Sequence, residues 1–176
     1  TGVACFAGER QHKTIDRLMI APVRKTKLFL AKILGLLPQT LMQMAVMMSV
    51  SVLLFKARYA DSLAGNLYLF LMFFLVSFAL ISIGAAAGIV FKKNIAPLML
   101  SVIWIMMFLA GTYSNGLYIE GVTDVMPAYQ IHEAAFDLTI MGKLDRVHWI
   151  NLACIVIIAV MLVIGAASFK RKEREG

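Results

Sequence analysis

Long apolar runs alternate with short polar segments along this chain. Three of the four runs exceed the ~20 residues that a helix needs to cross a bilayer. The third run is shorter and starts near Asn94 and Pro97, and Pro38 inside the first run predicts a kink. The segment from Ala60 to Asn66 is predicted as a turn. The pattern predicts an all-α protein with four transmembrane helices, at residues 28–55, 67–91, 95–111 and 147–169.

The stretch between the third and fourth runs, residues 112–146, is mixed in polarity and broken by glycines. Pro127 suits the first position of a helix, and Gly142 suits the end of one. Between them, apolar and polar residues recur with the spacing of an amphipathic helix. The apolar face comprises Ile131, Ala135 and Leu138, and the polar face comprises Gln130, Glu133 and Asp137. We therefore predict a short surface helix whose polar face is solvated.

The polar segment before the first run, residues 7–23, predicts another short surface helix. Thr14 can cap its N-terminus, because a threonine hydroxyl accepts hydrogen bonds from the free N–H groups of the first turn. Pro22 would end it. Its apolar face would comprise Ile15, Leu18 and Met19. On this pattern alone, an amphipathic loop that only binds lipid is an equal alternative.

The composition turns these patterns into a membrane assignment. Hydrophobic residues make up 61% of the chain and charged residues 15%, and the mean hydropathy is +0.82. A soluble domain of 176 residues carries more charge on its surface than this. The sequence therefore predicts an integral membrane protein.

The net charge of +7 comes from basic residues at the ends of the apolar runs. A nucleic-acid-binding face would carry a basic stripe interleaved with aromatic residues, so nucleic acid is not a predicted partner. Thirteen of the 17 lysines and arginines fall on one side of four alternating spans, some of them in the tail 170–176. The positive-inside rule assigns that side to the cytoplasm. Residues 112–146 would then lie outside, and the C-terminus inside.

Residues before and within the first span form a recognisable motif. They are Glu9-Arg10, Thr14, Arg17-Leu18, Ala21-Pro22-Val23 and Ala31-Lys32. This motif resembles the signature of ABC-2 type transporter permeases, in which a Glu-Arg pair, a Gly-Thr, a Leu-rich turn and a proline form the coupling helix. Lys13 and Ala31 stand where that family usually has glycine.

The resemblance implies the second part of a six-helix ABC-2 permease fold, in a multi-pass protein of the inner (cytoplasmic) membrane. Further membrane helices would precede residue 1. Residues 1–27 would be the cytoplasmic coupling-helix segment, residues 28–169 the transmembrane domain, and residues 112–146 an outer re-entrant helical hairpin. The coupling helix would bind an ABC ATPase subunit through Glu9, Arg10, Thr14, Arg17, Leu18, Met19 and Pro22. The outer gate would involve Tyr113, Pro127 and Glu133.

The resemblance also implies a second permease subunit, identical or related, and two copies of a separate ATPase. The ATPase would bind ATP and Mg, because this chain has no GxxxxGK[ST] phosphate-binding loop. We predict that this chain itself binds no cofactor and catalyses no reaction. His132, Glu133, Asp137 and His148 lie near one another in the sequence. They lack the spacing of a zinc motif, so a solvated face is favoured over a metal site.

Gln39 and Gln43, four residues apart, form a polar stripe in the first span. Buried amides in a membrane either bond to another helix or line a wet path, so this stripe serves helix packing or the substrate path. None of the spans carries the acidic residues that a proton relay needs. The spans therefore favour an apolar or lipid-like substrate, such as a hydrophobic drug, an antibiotic or a lipid.

Two other classes of function were weighed against a transporter. A non-transporting membrane sensor or scaffold, whose cytoplasmic helix binds a partner, is the main alternative, and it would not depend on an ATPase. A membrane-embedded enzyme would need polar residues converging on a cavity, and the sequence does not indicate such a group.

Overall fold

The long apolar runs form long continuous helices in the computed structural model of the protein. The structure describes residues 25–56, 59–60, 62–91, 96–111 and 118–174. Within these ranges the chain forms five α-helices and one short 3-10 turn, with no strand. The helices are α1 Lys25–Phe55, α2 Leu63–Val90, α3 Ala96–Leu109, α4 Pro127–Ile140 and α5 Asp145–Arg174, and the 3-10 turn is Thr123–Val125. The all-α prediction is confirmed for this part of the chain.

Three of these helices are long and apolar enough to cross a membrane, over Lys27–Leu54, Leu63–Val90 and Asp145–Ser168. At ~1.5 Å of rise per residue, each exceeds the ~30 Å hydrocarbon core of a bilayer. The 14 residues of α3 extend only about 21 Å. The third predicted span, at 95–111, therefore stays a prediction. Helix α1 continues through Pro38, so this proline does not end it.

The start of α2 differs from the prediction. A turn is expected from Ala60 to Asn66, whereas Gly65 and Asn66 already lie in the first turn of α2. The Ser62 Oγ accepts a hydrogen bond from the Gly65 N–H at 2.9 Å. The Asn66 side-chain amide bonds both the N–H and the carbonyl of Ala60, each at 3.1 Å. The Ser62 bond satisfies an N–H group that a helix start leaves free, and the Asn66 bonds hold the chain just before the helix, so the helix can begin at Leu63.

Helix α2 is the centre of the bundle. In its most apolar window 44% of the residues are buried, against 11% in α1 and in α5. The small residues Gly84 and Gly88 of α2 are buried, as expected for a surface on which another helix packs closely. The main buried cluster joins all three long helices and comprises Phe29, Ile33, Phe78, Ala79, Ala85, Ile89, Cys154 and Ile158.

This cluster fixes how the helices run relative to one another. Phe29, near the start of α1, lies against Gly165, near the end of α5. Ile89, near the end of α2, belongs to the same cluster. The start of α1 and the ends of α2 and α5 therefore meet at one end of the bundle. This antiparallel order is the one that alternating membrane spans predict.

Candidate functional site

The residues of the predicted coupling helix lie outside the described part of the chain, and so does Tyr113 of the predicted outer gate. The coupling-helix residues are Glu9, Arg10, Thr14, Arg17, Leu18, Met19 and Pro22. Their contacts with an ATPase stay a prediction. The remaining predicted site residues are Gln39 and Gln43 on α1, and Pro127 and Glu133 on α4.

Gln39 and Gln43 are exposed on α1, away from the bundle. Thr40, between them, is buried, and its hydroxyl donates to the Leu36 carbonyl at 2.8 Å. Hence the core covers neither glutamine, although Gln43 lies within one helical turn of the buried Thr40. An amide facing lipid has no hydrogen-bond partner, so this face requires another protein surface or water. Helix packing and a substrate path both stay open.

The connecting segment (residues 118–144) begins with a turn organised by Asp124. The Tyr118 hydroxyl donates to one carboxylate oxygen of Asp124 at 2.7 Å, and the Gly121 N–H approaches the other at 3.4 Å. The Gln130 side chain donates to the Asp124 carbonyl at 2.6 Å. The hydrogen bond from Tyr118 to Asp124 is the main cause that raises the pKa of Tyr118 to about 12. The turn is therefore held by one carboxylate.

Thr123 attaches this turn to α3. Its side chain is almost fully buried, and its hydroxyl donates to the Leu109 carbonyl at 3.1 Å. The same oxygen accepts a hydrogen bond from the Ile119 N–H at 3.0 Å. One side chain thus satisfies the last turn of α3 and the first residues of the connecting segment, which fixes the distance between them.

Helix α4 follows and has the predicted limits. Pro127 occupies its first turn, and Gly142, just beyond its end, has a φ of +65°, where a side chain would be strained. The fully buried centre of its apolar face is Ala134 together with the predicted Leu138. The predicted Ile131 and Ala135 flank them and are partly buried. This face packs in a second buried cluster that comprises Leu69, Met72, Ala134, Leu138 and Val147.

The polar face of α4 is not simply solvated, which corrects the prediction. Arg146, in the first turn of α5, reaches back to α4. Its Nε lies 3.0 Å from Asp137 Oδ2, and its Nη1 lies 3.5 Å from Glu133 Oε2. Sequence reasoning counted Arg146 only in the charge balance. The sequence does contain a sign of this pairing, because two carboxylates four residues apart are followed, beyond the Gly142 turn, by an arginine.

The histidines near this face do not join it in a metal site. His132 is exposed, and the His148 ring packs edge-on against the Tyr68 ring with centroids 5.7 Å apart. Among the residues that the structure describes, no three His, Cys, Asp or Glu side chains are grouped so that they could hold a metal ion. Glu133 and Asp137 face a guanidinium instead.

An open cleft of about 390 Å³ lies between the start of α2 and the end of α4. Its walls are mainly apolar, with Tyr68 on one side and Thr139 and Met141 on the other. The Thr139 hydroxyl is already bonded to the Ala135 carbonyl at 2.8 Å. Because the two walls come from different helices, the width of the cleft depends on how α4 is seated.

Asn151 is a buried polar residue of α5. The residue is 8% exposed, and its Oδ1 has no hydrogen-bond partner among the residues that the structure describes. Buried polar atoms are nearly always paired, and leaving one unpaired costs about 1–3 kcal/mol. Within the described part of the chain, α5 therefore carries a buried acceptor that is unsatisfied.

Comparison with protein family models identifies the family of this chain. The family model described as ABC-2 family transporter protein matches residues 1–168, which include the N-terminal motif and all three long apolar helices. Searches of curated proteins and of solved structures found no match. The resemblance drawn from the sequence motif is confirmed at the level of the family. An all-helical membrane protein with this match belongs to the ABC-2 family of transporter proteins.

Proposed function

We propose that this chain is the membrane-spanning permease subunit of an ATP-driven ABC-2 export system, and that it moves an apolar or lipid-like substrate out of the cytoplasm. The observation that carries the proposal is the family match over residues 1–168. Three long apolar helices that share one buried cluster support it. In this proposal a separate ATPase subunit binds ATP and Mg and supplies the energy, and this chain catalyses no reaction.

The proposed topology follows from the distribution of charge. The start of α1 and the end of α5 carry the basic residues, and anionic lipids and the positive-inside rule favour the cytoplasm for them. The connecting segment then lies on the outer side of the inner membrane, where it would form the outer gate with Pro127 and Glu133. Helix α3 would belong to the third span. The C-terminus would be cytoplasmic.

The proposed link to the ATPase is the helix from Thr14 to Ala21. Glu9, Arg10 and Arg17 would make charged contacts with a cleft on the ATPase, and Leu18 and Met19 would form an apolar knob. Closure of the ATPase dimer on ATP would push this helix. The long helices would then rock as rigid bodies, so that the path opens outward.

The functional unit would contain two permease subunits and two ATPase subunits. The second permease is a copy of this chain or a related protein. A face of α1 that carries exposed amides, at Gln39 and Gln43, supports the presence of another protein surface or of a polar path beside it.

The proposal is tested by co-purification of the full-length protein with the ATPase encoded beside it. The test variant is Leu18→Asp combined with Arg17→Glu, which removes the apolar knob and reverses a charge. The matched control is Val125→Asp combined with Lys143→Glu, which makes the same chemical changes at exposed positions of the connecting segment. We expect the ATPase to accompany the wild type and the control, and to be lost from the test variant.

Other results would redirect the proposal. If no ATPase binds the wild type, the non-transporting sensor or scaffold becomes the favoured function. If the ATPase binds the test variant as well as the wild type, the permease role survives and the assignment of residues 14–21 as the contact is wrong. ATP-dependent export in vesicles, measured with a set of apolar and lipid substrates, then identifies the cargo.

A further inference from the structure

The connecting segment is held to the bundle at two separate points. At its start, Thr123 is bonded to the last turn of α3 through the Leu109 carbonyl. At its end, α4 lies against α5, with Arg146 bound to Asp137 and Glu133. The buried faces of Ala134 and Leu138 lie in the same region as these ion pairs. The segment is therefore not a free loop above the helices.

Arg146 is placed so that it can hold α4 in one orientation. Glu133 and Asp137 are four residues apart, so they lie one above the other on the same face of α4. The guanidinium presents several N–H donors in one plane, and it reaches both carboxylates at once. A lysine at this position would carry the same charge but would lack the planar fork. The contact thus fixes rotation of α4 as well as its distance from α5.

The apolar contact beneath these ion pairs holds α4 against the bundle. On α4 it centres on Ala134 and Leu138, and on the bundle it comprises Leu69, Met72 and Val147, with further partly buried residues around them. Burial of these side chains contributes more to the attachment than two partly exposed ion pairs do, so the ion pairs act mainly on the orientation of α4. Asp137 is the better shielded of the two carboxylates, because 15% of its side chain is exposed against 29% for Glu133.

We propose that Arg146 is a positioning residue that clamps α4 to α5, so that the connecting segment moves with α2 and α5 as one body during transport. The alternative is a separately hinged lid that leaves α5 to open the path. The clamp itself is a statement about the fold, while its consequence for transport rests on the proposed function. It also sets the width of the cleft between α2 and α4.

The first test measures the accessibility of α4 in purified full-length protein. Cys5 and Cys154 are replaced by alanine, and Ala134→Cys reports on the buried face through its rate of reaction with a water-soluble maleimide. We expect Arg146→Ala to raise this rate roughly 3- to 10-fold, because two partly exposed ion pairs shift an opening equilibrium by about that factor. The maleimide rate in Arg146→Lys should lie between the rates of the wild type and Arg146→Ala.

Two controls make this result specific. Ile140→Cys, at an exposed position of the same helix, should react at the same rate with and without Arg146. Lys143→Ala removes a neighbouring positive charge and should leave the Ala134→Cys reporter protected. Leu138→Cys is a second buried reporter if Ala134→Cys does not fold. An unchanged rate in Arg146→Ala would overturn the clamp.

The second test asks whether α4 must leave α5 during transport. A cysteine pair at positions 134 and 147, or at 138 and 147, is oxidised to a disulfide, since these residues share one buried cluster. If α4 and α5 move together, the cross-linked protein retains export, and the cross-link restores export lost in Arg146→Ala. Loss of export on cross-linking would show a hinged lid, and failure of both pairs to form would show that α4 is not held there.

The two proposals fail in different ways. The maleimide measurement needs no ATPase, so a protected α4 in a protein that binds no ATPase would leave the clamp standing and the permease role rejected. If the protein exports substrate but the maleimide reacts at the same rate with and without Arg146→Ala, the permease role stands and the clamp is rejected.

Discussion

Single residues decide how closely the ends of the helices approach. Gly165 of α5 has no side chain, and a Cβ placed there would overlap the ring of Phe29. Phe29 is fully buried, so its ring cannot swing into solvent to make room. Gly35 of α1 is the opposite case, because a Cβ there would meet nothing within 4 Å. Two glycines in apolar helices thus have different roles.

Gly165→Ala is expected to destabilise the bundle. Overpacking against Phe29 costs typically about 1–3 kcal/mol, and the better helix propensity of alanine returns up to about 1 kcal/mol. The thermal unfolding midpoint in detergent should fall. Gly35→Ala is the matched control and should leave the midpoint unchanged or raise it, since it gains propensity without a clash. Equal shifts in both variants would show that Gly165 is not packed against Phe29.

Tyr118 gives a prediction about pH. Its pKa is raised to about 12, above the ordinary value near 10, because its hydroxyl donates to the Asp124 carboxylate. The stabilisation from this bond is therefore complete below pH 10 and is lost as the pH rises through about 12. The ultraviolet titration of wild type minus Tyr118→Phe should show a midpoint near 12.

The Asp124→Asn variant is the control for this titration. Replacing the carboxylate by an amide removes the charge that disfavours tyrosinate, so the midpoint of Tyr118 should move back toward 10. A midpoint that stays near 12 in Asp124→Asn would assign the shift to something other than this carboxylate.

Residue contacts were the least predictable part of the candidate site. The sequence placed Glu133 and Asp137 on one polar face of α4 correctly, because helical spacing determines that. Their partner, Arg146, belongs to another helix, and pairing across the Gly142 turn depends on how the two helices pack. A periodic pattern does not encode that packing. The unsatisfied Asn151 is hidden from sequence reasoning for the same reason.

At the scale of elements, apolar length was the reliable signal. A run of more than about 20 apolar residues has one stable form in lipid, a helix that satisfies its own backbone, so α1, α2 and α5 were predictable. The ends of the helices were less predictable. Gly65 and Asn66 are residues typical of turns, yet the side chains of Ser62 and Asn66 bind the free backbone groups and place both residues in α2.

The cap of α2 can be tested directly. Ser62→Ala removes the acceptor for the Gly65 N–H, and loss of such a cap costs about 1 kcal/mol. The thermal midpoint in detergent should fall by a few degrees, while Ser62→Asp, which keeps an acceptor, should stay near the wild type. Ser51→Ala is the matched control, because the Ser51 hydroxyl only bonds the Met47 carbonyl within α1.

At the scale of the whole molecule, charge and helix order agree. The sequence predicts alternating spans with basic ends on one side, and the structure places the start of α1 beside the end of α5. The third span, at α3, is the part of this arrangement that stays a prediction. The described length of α3 is shorter than a bilayer core, so helix length alone does not decide whether this region crosses.

Cysteine labelling in intact cells decides whether the chain crosses at α3. Lys93→Cys and Asn115→Cys flank this helix in a protein whose native cysteines are replaced by alanine. With four spans, a membrane-impermeant maleimide should label Asn115→Cys from outside and should label Lys93→Cys only after permeabilisation. Labelling of both positions from the same side would mean that α3 enters and leaves by one face of the membrane.

Asn151 has a consequence for anyone who handles this protein. A buried, unpaired acceptor on α5 lowers the stability of the bundle, and a leucine of the same branched shape would remove that cost. The position is therefore a natural starting point for engineering a more heat-resistant protein. If such a variant tolerated heat better but lost export, the lower stability caused by Asn151 would itself be the property that selection has retained.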